Sequence, residues 1–208
     1  MPAWKVIIDQ LENKPDKSNE LLLELVNYQY GYIAWCLGNK QKDEARIYLS
    51  KAEDNLNLLE TRNFALSKIF GYKSAFYGFD ISFNFLLSPF IGPKSVNAAR
   101  QAISIDPDDF FGYIQMGNVM FYAPSFVGGS KPEALKSYLK AIALMEKNSA
   151  EIREDWNYLS LLTSVANCYE ALGDIVNTKL TYEKILKYEP QFKWVRDELY
   201  PQLIKRLK

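Results

Sequence analysis

The chain has 208 residues, with 25 Lys and Arg balanced by 25 Asp and Glu, and it contains no histidine. Without histidine, and with only Cys36 and Cys168 as thiols, the usual histidine-based nucleophiles, histidine switches and four-ligand structural zinc sites are excluded. The neutral charge also argues against nucleic-acid binding, which needs a basic surface, so we expect no catalytic residues, no metal site and no cofactor.

Apolar residues recur at helical spacing almost throughout the chain, and no alternating strand pattern competes with them. In chain order, the pattern predicts an N-terminal helix at about 3–13, four helix pairs at about 20–57, 62–107, 109–147 and 156–190, and a C-terminal capping helix at about 191–206. Gly, Pro, Asn and Asp mark the breaks, which include long loops at 78–94 and 123–132 and a break at 148–155. The sequence therefore predicts a single all-α domain.

The helix pairs share a spacing of small and large residues. In the last pair, the four defined positions of the pattern W-x2-L-G-x2-Y are occupied by Leu162, Val165, Ala166 and Tyr169. A small residue at the helix crossing lets the paired helix approach closely, and the four pairs supply Gly31, Gly71, Gly117 and Ala166. This arrangement resembles the tetratricopeptide repeat (TPR) family over about residues 20–190.

The TPR resemblance implies a right-handed α-solenoid of about four helix pairs with an N-terminal helix and a C-terminal cap. The strings at 87–95, 124–135, 156–159 and 192–201 look like those of uncharacterised bacterial TPR proteins. The turn Gly128-Gly129-Ser130-Lys131 is also similar to one in the periplasmic TPR subunit associated with TRAP transporters. At that turn, Ser130 is predicted to cap the following helix.

In a TPR stack the first helix of each pair lines the concave side, which predicts a groove of rings and amides. The candidate partner-binding residues are Trp35, Tyr32, Tyr72, Phe111, Phe121, Tyr122, Asn118 and Asn167. Both asparagines directly follow a crossing residue, where the family resemblance places peptide-binding asparagines. The alternative is that the asparagines only bond their neighbours and that the rings fill the core.

The leading hypothesis is a non-catalytic TPR scaffold that binds a protein or peptide in this aromatic groove. The alternative is a small-molecule-binding transport accessory similar to the TRAP-associated subunit, in which loops 78–94 and 123–132 close the groove. An enzyme is a third hypothesis. Because the predicted groove has no histidine, the binding affinity is predicted to change little between about pH 6 and 8.

The sequence predicts a soluble protein, because no apolar run is long enough to span a bilayer. The N-terminus lacks the apolar core of a secretion signal, so we expect a periplasmic location if a leader before Met1 was removed and a cytoplasmic one otherwise.

Residues 61–105 carry five basic residues and one acidic residue, a balance that suits either an anionic partner or a solvated face. The two thiols are predicted to be free and buried.

Overall fold

The computed structural model describes residues 2–148, 152 and 155–207. Within these residues the chain forms ten α-helices and no β-strand. The helices are α1 (Pro2–Glu12), α2 (Asn19–Gly38), α3 (Lys42–Thr61), α4 (Leu66–Phe83), α5 (Ser88–Ile105), α6 (Phe110–Tyr122), α7 (Lys131–Met145), α8 (Trp156–Ala171), α9 (Ile175–Tyr188) and α10 (Tyr200–Arg206). The predicted all-α fold is confirmed, and the predicted break at 148–155 lies largely outside the described residues.

The chain forms two compact units, Met1–Pro107 and Asp108–Lys208. Unit 1 contains α1–α5, in which each helix packs against the next and α2 also contacts α4. Unit 2 contains α6–α10, in which α6, α7, α8 and α9 pack in sequence and α10 covers α9. The most extensive packing joins α2 to α3, α4 to α5, α6 to α7 and α8 to α9, an arrangement of successive helical hairpins.

The crossing of α6 and α7 has the small-against-large packing that the repeat pattern predicts. A Cβ atom on Gly117 would lie 2.3 Å from Cε1 of Tyr138, and the Tyr138 side chain is only 1% exposed. In the next pair, Ala166 of α8 and Tyr182 of α9 are equally buried. The sequence pattern thus identifies the close approach at Gly117 and two of the buried residues of the next pair.

The prediction of a long loop at residues 78–94 is wrong. Helix α4 continues to Phe83, a 3-10 turn occupies Phe85–Leu87, and α5 begins at Ser88. Pro89 lies in the first turn of α5, where a missing N–H costs nothing because it would have no helical acceptor. Pro93 lies inside α5 at the loss of one backbone hydrogen bond. Proline therefore marked a helix start here and not a loop.

The two terminal helices lie where the sequence predicts them. In unit 1, α1 is held by a polar network around the fully buried Gln29, which donates to Glu12 Oε1 at 2.5 Å and accepts from Asn55 Nδ2 at 3.3 Å. In unit 2, the capping segment begins as a π-helix at Trp194–Leu199 and continues as α10. Its Val195 and Leu203 are fully buried, so the segment covers the last helix pair.

Candidate functional site

The connection between α6 and α7 presents large side chains to solvent next to ordered polar groups. We call Phe121, Tyr122, Phe126, Val127 and Lys131 the α6–α7 loop cluster. Tyr122 is 76% exposed, Phe126 87% and Val127 64%. The rings of Phe121 and Tyr122 meet edge to face at 5.0 Å between centroids. The exposed side chains of this cluster form an apolar surface patch.

The predicted loop at 123–132 is observed, but it is a tightly folded connection. Gly128 adopts a left-handed backbone conformation with φ +97°, which favours glycine. Gly129 allows a close backbone approach, because a Cβ there would lie 1.8 Å from the carbonyl oxygen of Ala123. The Ser130 N–H donates to the Met120 carbonyl at 2.9 Å, and the Ser130 Oγ accepts from the Glu133 N–H at 3.3 Å. The predicted capping role of Ser130 is confirmed.

Lys131 fixes the end of α6 to the start of α7. Its ammonium donates to the Phe121 carbonyl and lies 3.8 Å from the centroid of the Phe121 ring. A cation at this position is favoured because the last carbonyls of a helix carry partial negative charge. The Lys131 carbonyl in turn accepts from the Cys168 thiol at 3.2 Å. The cluster is therefore tied to α8 as well as to α6.

We expect Lys131→Met to lower the free energy of unfolding by about 1–2 kcal/mol, because it removes both the carbonyl hydrogen bond and the cation–π contact. Urea denaturation followed by circular dichroism measures the change. Lys136→Met is the matched control, since the Lys136 side chain is 79% exposed and lies 3.9 Å from Glu133. Equal effects of the two substitutions would contradict the role given to Lys131.

The two predicted asparagines differ in their side-chain hydrogen bonds to the rest of the chain. The amide of Asn118 accepts from the Tyr138 hydroxyl at 2.8 Å and donates to Gln115 Oε1 at 3.1 Å. Asn167 is half-buried and makes no side-chain hydrogen bond within the described part of the chain. Asn118 thus serves packing between α6 and α7, whereas Asn167 takes no part in such a network among the described residues.

Three of the predicted groove rings lie in the core. Tyr32 is 3% exposed, Tyr72 4% and Phe111 4%, so the alternative that rings fill the core holds for them. The hydroxyl of Tyr32 donates to Glu44 Oε1 at 2.9 Å and that of Tyr72 to Asn27 Oδ1 at 3.1 Å. Trp35 is half-buried and stacks on Tyr32 at 5.8 Å. In stacked helices, a ring on the first helix meets neighbouring helices on both sides, which explains this burial.

Sequence reasoning did not identify the exposure of Phe126 and Val127. The available signal was the absence of any charge from Val119 to Ser130 together with two glycines that fold the loop back.

Both cysteines are free and buried, as predicted, and burial raises the pKa of each thiol.

Among the described residues, no group of three or more Cys, Asp or Glu side chains is placed to hold a metal ion. In the same part of the chain, no helix combines the length and the apolarity needed to cross a membrane.

Similar folds occur among solved structures. The HusA haemophore from Porphyromonas gingivalis has a TM-score of 0.67 at 17% identity, over 81% of this chain and 84% of that one. A thermophilic TPR protein of Thermus thermophilus has a TM-score of 0.64 at 16% identity, over 97% of this chain and 90% of that one. The chain therefore has a TPR-like helical fold. No family model and no curated protein matches the sequence.

Proposed function

We propose that this chain is a non-catalytic helical scaffold that binds a protein or peptide through the α6–α7 loop cluster and the adjoining face of α8. The observation that carries the proposal is the exposure of Tyr122 at the end of α6 and of Phe126 and Val127 in the following loop, which is constrained by the close approach at Gly129 and the hydrogen bond of Lys131. Preorganised apolar anchors of this kind give affinity because little conformational entropy is lost on binding.

The chemistry of the surface supports peptide recognition. Large rings contribute contact area, and the amide of the half-buried Asn167 can both donate to and accept from a peptide backbone. The residue after Asn167, Cys168, donates its thiol hydrogen to the Lys131 carbonyl, so α8 contacts the start of α7 where the loop cluster ends. We expect an apolar or aromatic peptide segment as the partner.

Selection from a randomised peptide display library tests the proposal, using the full chain as bait. We expect enriched peptides rich in apolar residues, with affinities that fall at least about tenfold for the variant Tyr122→Ala with Phe126→Ala. The matched control is Val176→Ala, whose side chain is 70% exposed on α9. No enrichment above that on an unrelated helical protein, or equal loss in the control, would contradict the proposal.

We predict that the dissociation constant of such a complex changes less than about twofold between pH 6 and 8. The cluster has no histidine, and burial raises the pKa of the neighbouring Cys168 thiol, so this thiol stays protonated throughout the window and its charge does not change. Fluorescence polarisation with a selected peptide free of His and Cys measures the dependence. A stronger pH effect would show that a titrating group of the protein takes part in binding.

A small organic ligand is the second candidate, as expected for a transport accessory protein similar to the TRAP-associated subunit. The likeness in fold to a haemophore makes haem the natural first probe. Because the sequence has no histidine, axial ligation would fall to tyrosine, methionine or cysteine. Titration followed by the haem absorption spectrum tests this function. A shifted band lost in Tyr122→Ala would favour it over peptide binding, whereas an unchanged spectrum would contradict it.

A further inference from the structure

The turn between α4 and α5 in unit 1 exposes a second set of large apolar side chains. We call Phe85, Leu86, Leu87 and Phe90 the α4–α5 tip, and their exposed fractions are 68%, 81%, 38% and 74%. No charged residue occurs between Ile81 and Pro93. Four such side chains within six residues form a patch of the kind that marks an interaction site.

The polar groups of this turn bond one another. The Asn84 carboxamide oxygen accepts from the Leu86 N–H at 3.2 Å, and the Asn84 carbonyl accepts from the Leu87 N–H at 3.1 Å. The Ser82 hydroxyl donates to the Gly78 carbonyl at 3.0 Å. Polar groups that are already paired lower the cost of leaving water, which is the condition for entering a lipid interface.

Basic side chains border the tip. The Arg46 guanidinium of α3 lies 4.3 Å from the centroid of the Phe83 ring, two residues before the tip begins. Lys94 is exposed and lies one helical turn after Phe90. Helices α4 and α5 together carry four basic residues and a single acid, Asp80, which is half-buried and interacts with the Arg46 guanidinium. An uncharged apolar tip with a basic border is complementary to an anionic lipid surface.

The exposed area of the tip argues against a second copy of the chain as its occupant. Taking about 200 Å² for a whole large side chain, the exposed parts of the four residues sum to roughly 500 Å². A stable protein interface buries about 800 Å² on each partner. A bilayer needs no such matching area, because it takes up individual side chains at its interface.

We infer that the α4–α5 tip docks onto a bilayer containing anionic lipids. Phe85, Leu86 and Phe90 enter the boundary between headgroups and acyl chains, while Arg46 and Lys94 face the headgroups. The tip belongs to unit 1 and shares no residue with the α6–α7 loop cluster, so the inference does not depend on peptide binding.

Co-sedimentation of the full chain with lipid vesicles tests the inference. One set of vesicles is phosphatidylcholine alone, and in the other a third of the lipid is phosphatidylglycerol. We expect stronger partitioning to the anionic vesicles, and a decrease of at least about tenfold for Phe85→Ser with Leu86→Ser and Phe90→Ser. Val176→Ser with Leu180→Ser is the matched control, since these α9 residues are 70% and 54% exposed, and it should bind like the unmodified chain.

Charge substitutions separate the two contributions. Arg46→Gln with Lys94→Gln should weaken partitioning to the anionic vesicles and leave the weak partitioning to phosphatidylcholine unchanged. No partitioning of the unmodified chain, or equal partitioning of the triple serine variant, would overturn the inference. So would sedimentation velocity that shows a dimer lost in the triple variant, because the tip would then be a contact between copies.

A labelled variant gives a readout that does not require removal of the tip. Leu86→Cys with an environment-sensitive dye can be labelled selectively, because Cys36 and Cys168 are buried. We expect a blue-shifted emission with anionic vesicles, and quenching by lipids brominated on the acyl chains. Unchanged emission in the presence of vesicles that sediment the protein would overturn the assignment of the tip as the inserted segment.

Discussion

Tyr138→Ala is expected to lower the free energy of unfolding by about 3–5 kcal/mol, the range for removing a large buried ring. The Tyr138 ring is 1% exposed and fills the space over Gly117, where no Cβ separates the two helices. Its hydroxyl donates to Asn118 at 2.8 Å, so the substitution also leaves that amide without one of its partners. Urea denaturation followed by circular dichroism measures the loss.

Two further substitutions separate packing from hydrogen bonding. Tyr138→Phe keeps the ring and should cost about 1 kcal/mol, the net value of a single hydrogen bond. Tyr122→Ala removes a ring that is 76% exposed and should change stability by less than about 0.5 kcal/mol. A cost for Tyr138→Ala no larger than for Tyr138→Phe would show that the ring does not fill this crossing.

Gly117→Ala is expected to destabilise the protein by about 1–3 kcal/mol, as an overpacked core does. In an open helix the same change stabilises by about 0.5–1 kcal/mol, because alanine loses less backbone entropy. The sign reverses here because the added Cβ would lie 2.3 Å from Tyr138 Cε1. Gly78→Ala in α4 is the matched control, since a Cβ there meets nothing within 4 Å.

A double-mutant cycle tests the contact directly. Tyr138→Leu creates room at the crossing, so Gly117→Ala should cost about 0.5–3 kcal/mol less in that background. The four proteins are compared by urea denaturation under identical conditions. Additive effects of the two substitutions would contradict a direct contact between Gly117 and Tyr138.

The repeat pattern made much of the fold predictable. Gly117 and Ala166 were identified from spacing alone, because a close helix crossing admits only a small residue and that constraint appears in the sequence. The start of α5 at Ser88 was missed because the following Pro89 and Pro93 suggested a loop, whereas Pro89 lies in the first turn of α5 and Pro93 inside it. Proline is rare in helix interiors but is tolerated in the first turn. Its presence alone therefore does not distinguish a loop from a helix start.

The candidate site was less predictable than the fold. Helical spacing shows which rings share a face, but it does not show whether another helix covers that face, so Tyr32 and Tyr72 could not be distinguished from an exposed ring such as Tyr122. The hydrogen bonds that occupy Asn118 come from residues on two helices, Gln115 of α6 and Tyr138 of α7. Such pairings depend on packing geometry that spacing does not encode.

The two buried thiols provide a separate reporter in each half of the molecule. Cys36 lies in α2 of unit 1 and Cys168 in α8 of unit 2, and both are 0% exposed. A thiol reagent can reach either sulfur only when the surrounding helices open, so its reaction rate measures local opening and not surface chemistry. Mass spectrometry of the two labelled peptides would therefore compare local opening around α2 and around α8 in one experiment, without any engineered probe.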